Sequence, residues 1–229
     1  MKFDPPLIRA TLTRRYKRFL ADVILPDGRE TTAHVANPGA MTGLAEEGQA
    51  IWLADVAGGG RKLDWSWKLA EVPTGLVCVD TTLSNRIVED GLALVPHETY
   101  RREVKYGTGS RVDFLLDEDH YLEVKGVTLS RQPGLAEFPD TTTARGTKHL
   151  RELAEMVRQG KRATMLYHSM RNDAEAVTIA HDIDPAYAAA WHDAKAAGVE
   201  MIAVASTITP EEITLAKPLP LQAPPAASM

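Results

Sequence analysis

The sequence contains a single cysteine, Cys78, so neither an internal disulfide nor a cysteine-built zinc site can form. Aromatic residues are sparse at 6% of the chain, and no apolar run approaches the roughly 18 residues of a membrane-spanning helix. The opening Met-Lys-Phe-Asp-Pro-Pro lacks the apolar stretch of a secretory leader. Positive charge is not in excess either. The 26 Lys and Arg residues stand against 31 Asp and Glu, a formal net charge of -5, which argues against coating nucleic acid by bulk charge. These absences exclude secreted, disulfide-framed and membrane classes and lead to the expectation of a cytoplasmic protein. What remains is 229 residues, 44% of them apolar, enough for one large domain or two small ones with self-sufficient cores.

Residues 1–80 read as short strands with turn punctuation. Phe19–Leu25 and Glu30–Val35 flank Pro26-Asp27-Gly28, a hairpin signal, and Gln49–Asp55, Asp64–Glu71 and Leu76–Asp80 follow between Gly-rich and Pro-Thr-Gly turns. This pattern predicts a small OB-like β-barrel. Arg9 to Arg18 carries five basic residues and no acid, with Tyr16 interleaved, so Arg14, Arg15, Tyr16, Lys17 and Arg18 are candidate DNA contacts. The same stretch could equally be a solvated strand or loop face. Asn37–Gly43 is a long turn, either closing the barrel or functional in its own right.

From residue 81 to 216 the period changes to an α/β layer pattern. A short helix capped by Ser84 and stopped at Gly91 precedes three strands, Arg101–Tyr106, Arg111–Leu116 and Tyr121–Val127. A helix over Ala144–Gln159 follows from Leu150, Leu153, Ala154 and Val157 at helical spacing, with Thr141, Thr142 or Thr143 as its cap. Then come a strand at Ala163–His168, a helix from Asp184-Pro185 to Gly198, and a strand at Met201–Ser206. The Pro/Ala-rich 217–229 reads as a disordered tail. Trp65, Trp67 and Trp191 suit core or barrel-surface positions, Cys78 a buried inert one, and His34, His97 and His181 have no ligand spacing and receive no role.

The three-strand meander can be placed in register. With Asp117-Glu118-Asp119 as the turn, opposed residue numbers sum to 236, which sets Asp113 across from Glu123 and Arg111 across from Lys125. With Gly107-Thr108-Gly109 as the preceding turn the sum is 216, and Glu103 faces Asp113 from the other side. Opposed like charges repel, whereas a hard divalent cation needs such carboxylates. Asp113 and Glu123 are therefore candidate ligands for Mg2+ or Mn2+, and Glu103 a third carboxylate of the catalytic row. Lys125, on the same face, could hold a water or stabilise developing charge. The alternative is an exposed sheet face with chance acids.

Asp113, followed by Glu123-Val124-Lys125 on paired strands ahead of a helix, resembles the PD-(D/E)xK nuclease superfamily. Longer stretches are more specific: Arg9–Asp22, Asn37–Gly43, Glu103–Gly107, Arg111–Phe114, Tyr121–Lys125 and Phe138–Leu150. From end to end, apart from the tail, the chain resembles the sugar fermentation stimulation protein A (SfsA) family. The resemblance implies an OB-like N-terminal domain, a restriction-endonuclease-like C-terminal domain, DNA binding with little sequence preference, and a link to sugar catabolism. Tyr167-His168-Ser169-Met170-Arg171 departs from it, since relatives often carry Gln-Arg after the aromatic residue. Arg145 and His149, one helical turn apart, are further candidate DNA contacts. The function expected is metal-dependent phosphodiester cleavage on DNA. A catalytically idle DNA-binding regulator, or an enzyme on another phosphate-bearing substrate, remains the alternative.

Overall fold

The computed structural model describes residues 1–60 and 62–225. Its first part is a barrel of β1 (Ile8–Tyr16), β2 (Leu20–Ile24), β3 (Glu30–Val35), β4 (Ala50–Asp55), β5 (Trp65–Val72) and β6 (Gly75–Cys78). The strands follow the order β3-β2-β1-β4-β5-β6, and a parallel contact of β3 with β5 closes the wall. Alternation supplies the interior: Leu12, Ala21, Val23, Ala33, Ile51, Leu53 and Trp67 meet inside with almost no exposure. The strand expectations hold, with one addition. The basic stretch lies mostly on β1, where Ala10 and Leu12 point inward and Arg9, Thr11 and Thr13 outward. Two inward residues among so many charges are a weak strand signal.

Beyond the barrel come α1 (Ser84–Asp90), β7 (Tyr100–Tyr106), β8 (Ser110–Leu116), β9 (His120–Val127), β10 (Leu129–Gln132), β11 (Leu135–Phe138) and α2 (Ala144–Arg158). They are followed by β12 (Arg162–Ser169), β13 (Ala176–Ile179), α3 (Pro185–Ala196), β14 (Glu200–Ile208), β15 (Ile213–Leu219) and β16 (Leu221–Gln222). Six strands form a mixed sheet in the order β15-β14-β12-β9-β8-β7, in which β12 runs parallel to both β9 and β14. One face packs on α2 and α3 through Leu150, Leu153, Trp191, Met165 and Tyr167. The other packs on α1 and the turn after it through Val88, Leu92, Phe114, Leu122 and Leu166. Thr143 caps α2 by accepting from the Gly146 N–H, and Asp184 caps α3 by accepting from Tyr187, with Pro185 in the first turn.

Three expectations need correction. Ser84 does not cap α1; it is the first helical residue, and its hydroxyl pairs with buried His168 at 2.9 Å. A second sheet, β10-β11-β13-β16, was not expected, because its strands of two to four residues are too short to show alternation. The tail is ordered further than its composition suggests. Pro218 lies within β15, an edge strand where a missing N–H is tolerated, and β16 pairs with β13. The rest of the tail from 226 lies outside the described residues. Trp67 and Trp191 are core residues, and Cys78 is fully buried, with burial pushing its thiol pKa up. Among the described residues no helix is long and apolar enough to cross a membrane.

Candidate functional site

The meander places the acidic residues at the junction of β7, β8 and β9. The expected register holds near the turns, where Phe114 pairs with Leu122, Leu115 with Tyr121 and Leu116 with His120, while Arg102 pairs with Phe114 and Val104 with Val112. The β8–β9 ladder ends at Phe114, so the expected pairings of Asp113 with Glu123 and of Arg111 with Lys125 do not form. Between them Glu103 and Asp113 both drop out of the ladder. Glu103 takes a left-handed backbone with φ of 52°. Val112 joins the core under α2, whereas Phe114 joins the core on the α1 side, so the strand changes face at Asp113. The freed carboxylate of Asp113 accepts from the Val124 N–H at 2.8 Å, replacing a ladder bond, and from the Asn85 side chain of α1 at 2.6 Å.

Glu123 is the buried member, at 2% exposure. Its Oε1 accepts from the Lys125 ammonium at 2.7 Å and from His149 Nδ1 on the second turn of α2. Arg145 Nε donates to His149 Nε2 at 3.3 Å, which makes that nitrogen the acceptor and puts the ring proton on Nδ1, facing Glu123. Glu123 Oε2 is buried and has no hydrogen-bond partner. Burial alone would raise the Glu123 pKa, yet Lys125 and His149 outweigh it and hold the carboxyl below its ordinary range. Asp113 goes the other way. Burial, then the Glu123 charge, push it up to about 6, against the opposing pull of the Val124 N–H, Lys125 and Asn85.

Glu103 does not complete a row of three carboxylates. It is exposed, at the rim of a cavity of about 520 Å3 whose other charged groups are Arg111, Arg145 and Lys148. Among the described residues no three His, Cys, Asp or Glu side chains gather closely enough to hold a metal between them. The carboxylates available to a cation are thus the pair. They fit a hard divalent ion, which takes one or two carboxylates and completes its shell with water and substrate oxygens, and the unpartnered Glu123 oxygen is a ready ligand.

The basic stretch of the barrel is arranged differently. Arg15 donates to the carbonyls of Arg18, Asn37 and Gly39 at 2.8–3.0 Å, and Arg18 to the carbonyl of Pro38 at 2.8 Å. Arg14 and Tyr16 both bond Asp22, at 2.8 and 3.0 Å. Lys17 alone of the five is exposed with no side-chain hydrogen bond among the described residues. The Asn37–Gly43 turn is thereby clamped by Arg15 and Arg18. It also touches the second part of the chain, where the Asp140 carboxylate accepts from the Met41 N–H at 3.4 Å and sits where a Cβ on Gly39 would fall. Asn85 and Asp140 carry no signal in spacing that would have singled them out. His149, a candidate DNA contact, bonds Glu123. His168 and Arg171 of the departing segment are buried and structural, His168 between Ser84 and Ser206, Arg171 on Asp173 and the Thr128 carbonyl.

Comparison with known proteins accounts for both halves. Residues 13–79 match the SfsA N-terminal OB domain, and residues 79–212 match the sugar fermentation stimulation protein RE domain. A sugar fermentation stimulation protein homolog of Ruegeria sp. (strain TM1040) is 52% identical, covering 96% of this chain and 100% of the relative. One from Roseobacter denitrificans is 50% identical over 97% and 100%. The solved structure described as Pyrococcus furiosus SfsA in complex with Ca2+ superposes with a TM-score of 0.85 at 26% identity, over 97% of this chain and 98% of that one. An OB-like barrel joined to a mixed α/β domain, matched along nearly its whole length, places this chain in the SfsA family.

Proposed function

We propose that this protein is a divalent-metal-dependent phosphodiesterase acting on DNA with little sequence preference. The observation that carries the reading is the unpartnered, buried Glu123 Oε2 beside Asp113, a carboxyl that resists ionisation where it stands. A buried carboxylate oxygen with no donor is costly, and a cation removes both that cost and the repulsion between the two acids. Asp113 and Glu123 would hold Mg2+ or Mn2+, which supplies polarisation of a phosphoryl oxygen and activation of a bound water. The Ca2+ named for the solved relative supports a hard, oxygen-bound cation in this fold.

The chain's own groups then have distinct tasks. His149 orients the Glu123 carboxylate. Lys125, on the same oxygen, places a donor where negative charge develops. Arg111, Arg145 and Lys148 line the adjoining cavity and suit backbone phosphates. Calorimetric titration of Mn2+ into wild type and into the Asp113→Asn, Glu123→Gln double variant tests the metal site, and equal heats would refute it. Incubation with single- and double-stranded DNA under Mg2+, Mn2+ or EDTA tests turnover. Binding of metal and DNA without cleavage above the EDTA control would make the protein a non-catalytic DNA-binding regulator instead.

A further inference from the structure

The barrel carries a second cavity, of about 560 Å3, between β3, β5 and the turn joining β4 to β5. Its walls are largely apolar, from Ala36, Val56, Leu63 and Leu83, which suits a flat, mostly apolar group of small-ligand size. His34 forms part of the rim. Its ring stacks on Phe19 with centroids 6.3 Å apart and planes only 13° from parallel. Phe19 is 42% exposed, one of few large apolar side chains so placed. Two exposed, parallel rings beside a cavity leave an unused π-face.

The polar groups of the same cavity are mostly donors. Lys68 pairs with buried Asp80 at 2.5 Å and keeps further N–H groups in hand. Asp80 is saturated, its other oxygen taken by the Thr82 N–H and hydroxyl. The side chains of His34 and Ser66 make no hydrogen bond among the described residues, and Lys62 stands at the rim. An apolar slot with an aromatic face, a donor-rich wall and a rim cation is complementary to one kind of group: a nucleobase with carbonyl acceptors, joined to a phosphate.

We propose that this barrel cavity binds an unpaired nucleobase, stacked on the Phe19–His34 pair with its carbonyl edge toward Ser66 and Lys68 and its phosphate toward Lys62. A base inside a duplex has neither face free, so the ligand is a single strand or a free nucleotide. This inference shares with the proposed function only the nucleic-acid ligand and needs no cleavage.

Fluorescence anisotropy of labelled (dT)12 with the full chain in EDTA tests it, using a 12-base-pair duplex and thymidine monophosphate as parallel arms. Stacking on an aromatic side chain is lost in a Phe19→Ala, His34→Ala double variant, so (dT)12 affinity should fall about 5- to 150-fold while duplex affinity stays put. Both side chains are exposed, so the thermal midpoint should hold. Phe19→Trp keeps a stacking face and should retain affinity. Competition by thymidine monophosphate as effective as by (dT)12 would identify a free nucleotide as the ligand of the same site. Unchanged (dT)12 affinity in the double variant, or a wild type that binds neither (dT)12 nor the nucleotide, overturns the proposal and leaves the metal-site reading untouched. Binding of (dT)12 in EDTA, with no cleavage above that control once Mg2+ or Mn2+ is added, overturns that reading and leaves this one standing.

Discussion

Two hairpins dense in charge, β1–β2 of the barrel and β8–β9 of the sheet, look equally functional as strings of residues. In the first, almost every donor has an acceptor within the chain: Arg15 and Arg18 clamp the carbonyls of the Asn37–Ala40 turn, and Arg14 and Tyr16 hold Asp22. In the second, two buried atoms stay open among the described residues, His120 Nδ1 and Glu123 Oε2, and of these Glu123 Oε2 belongs to a carboxylate whose other oxygen is held by Lys125 and His149. Charge density alone does not mark a site. Unsatisfied polar capacity held by satisfied neighbours does, because such neighbours fix the group without quenching it.

The largest effect expected from breaking this contrast is at Lys125. Its ammonium stands 2.7 Å from Glu123, and if the proposed cleavage runs there it acts on charge that appears as the phosphodiester reacts, so Lys125→Met should cut the cleavage rate about 100- to 1000-fold. DNA affinity measured with Ca2+ should change little, since on the proposed function the lost charge acts chiefly on the transition state. Wild-type cleavage by Lys125→Met would show that the ammonium only neutralises Glu123.

On the barrel side the expected loss is structural. Arg15→Ala removes charge-assisted bonds to several carbonyls of the 37–40 turn and should cost about 2 kcal/mol, or about 4–8 °C in thermal midpoint. Arg14→Ala removes the same charge from an exposed guanidinium at the surface side of Asp22 and should leave the midpoint nearly where it is. Equal shifts in the two would mean that the clamp contributes nothing beyond charge.

How much of this was legible follows the same line. Strand register was legible because turn length fixes a pairing sum and the apolar residues must face inward: Phe114 with Leu122 and Arg102 with Phe114 fall where the arithmetic puts them. The pairing of Glu103 with Asp113 failed because one residue, Glu103, adopts a left-handed backbone that no periodicity encodes. The cap of α1 failed because the Ser84 hydroxyl had a buried competitor, His168, 84 residues away. His34 carries no ligand spacing in the sequence, and the ring that stacks on it, Phe19, comes from the residue before its cross-strand partner Leu20. Non-local competition for a polar group is invisible to spacing.

A smaller effect separates the two acids of the site. The Asp113 carboxyl, raised by burial and then by Glu123 to about 6, is neutral in the metal-free fold where the unfolded chain, with its pKa near 3.8, is already charged. Below about pH 4 both states are protonated and Asp113→Asn should be neutral. As pH rises from about 4 to 6 the fold must keep a proton that the unfolded chain has given up, so the wild type loses stability relative to Asp113→Asn, and the loss levels off once the folded carboxyl ionises above 6. With screening at its partly exposed rim, the gap should reach about 1–2 kcal/mol by pH 7–8. Denaturant midpoints of both proteins in EDTA at pH 4 and pH 8 measure it. Adding Mn2+ at pH 8 should reverse the order, because only the folded wild type gains a ligand. A gap independent of pH would show that Asp113 is an ordinary exposed carboxylate.

The smallest expected effect concerns Lys17, the basic residue of the β1–β2 hairpin left without a partner among the described residues. If free cations and not clamped ones meet phosphate, Lys17→Ala should lower the slope of log affinity against log salt for duplex DNA by about 0.9, the release of one counterion. Arg15→Ala, measured at a temperature where it stays folded, should leave that slope alone, since its guanidinium already lies on the carbonyls of Asn37 and Gly39. Lys148→Ala, at the rim of the cavity next to His149, should lower the slope by less than Lys17→Ala, because its ammonium already donates to the Thr108 carbonyl at 3.1 Å and lies 3.7 Å from Glu152. A slope change for Arg15→Ala as large as that for Lys17→Ala would mean that DNA displaces the clamp, and that the barrel's basic stretch is a contact surface despite its internal bonds. No change for Lys17→Ala, with a drop for Lys148→Ala, would confine phosphate contact to the neighbourhood of Asp113 and Glu123.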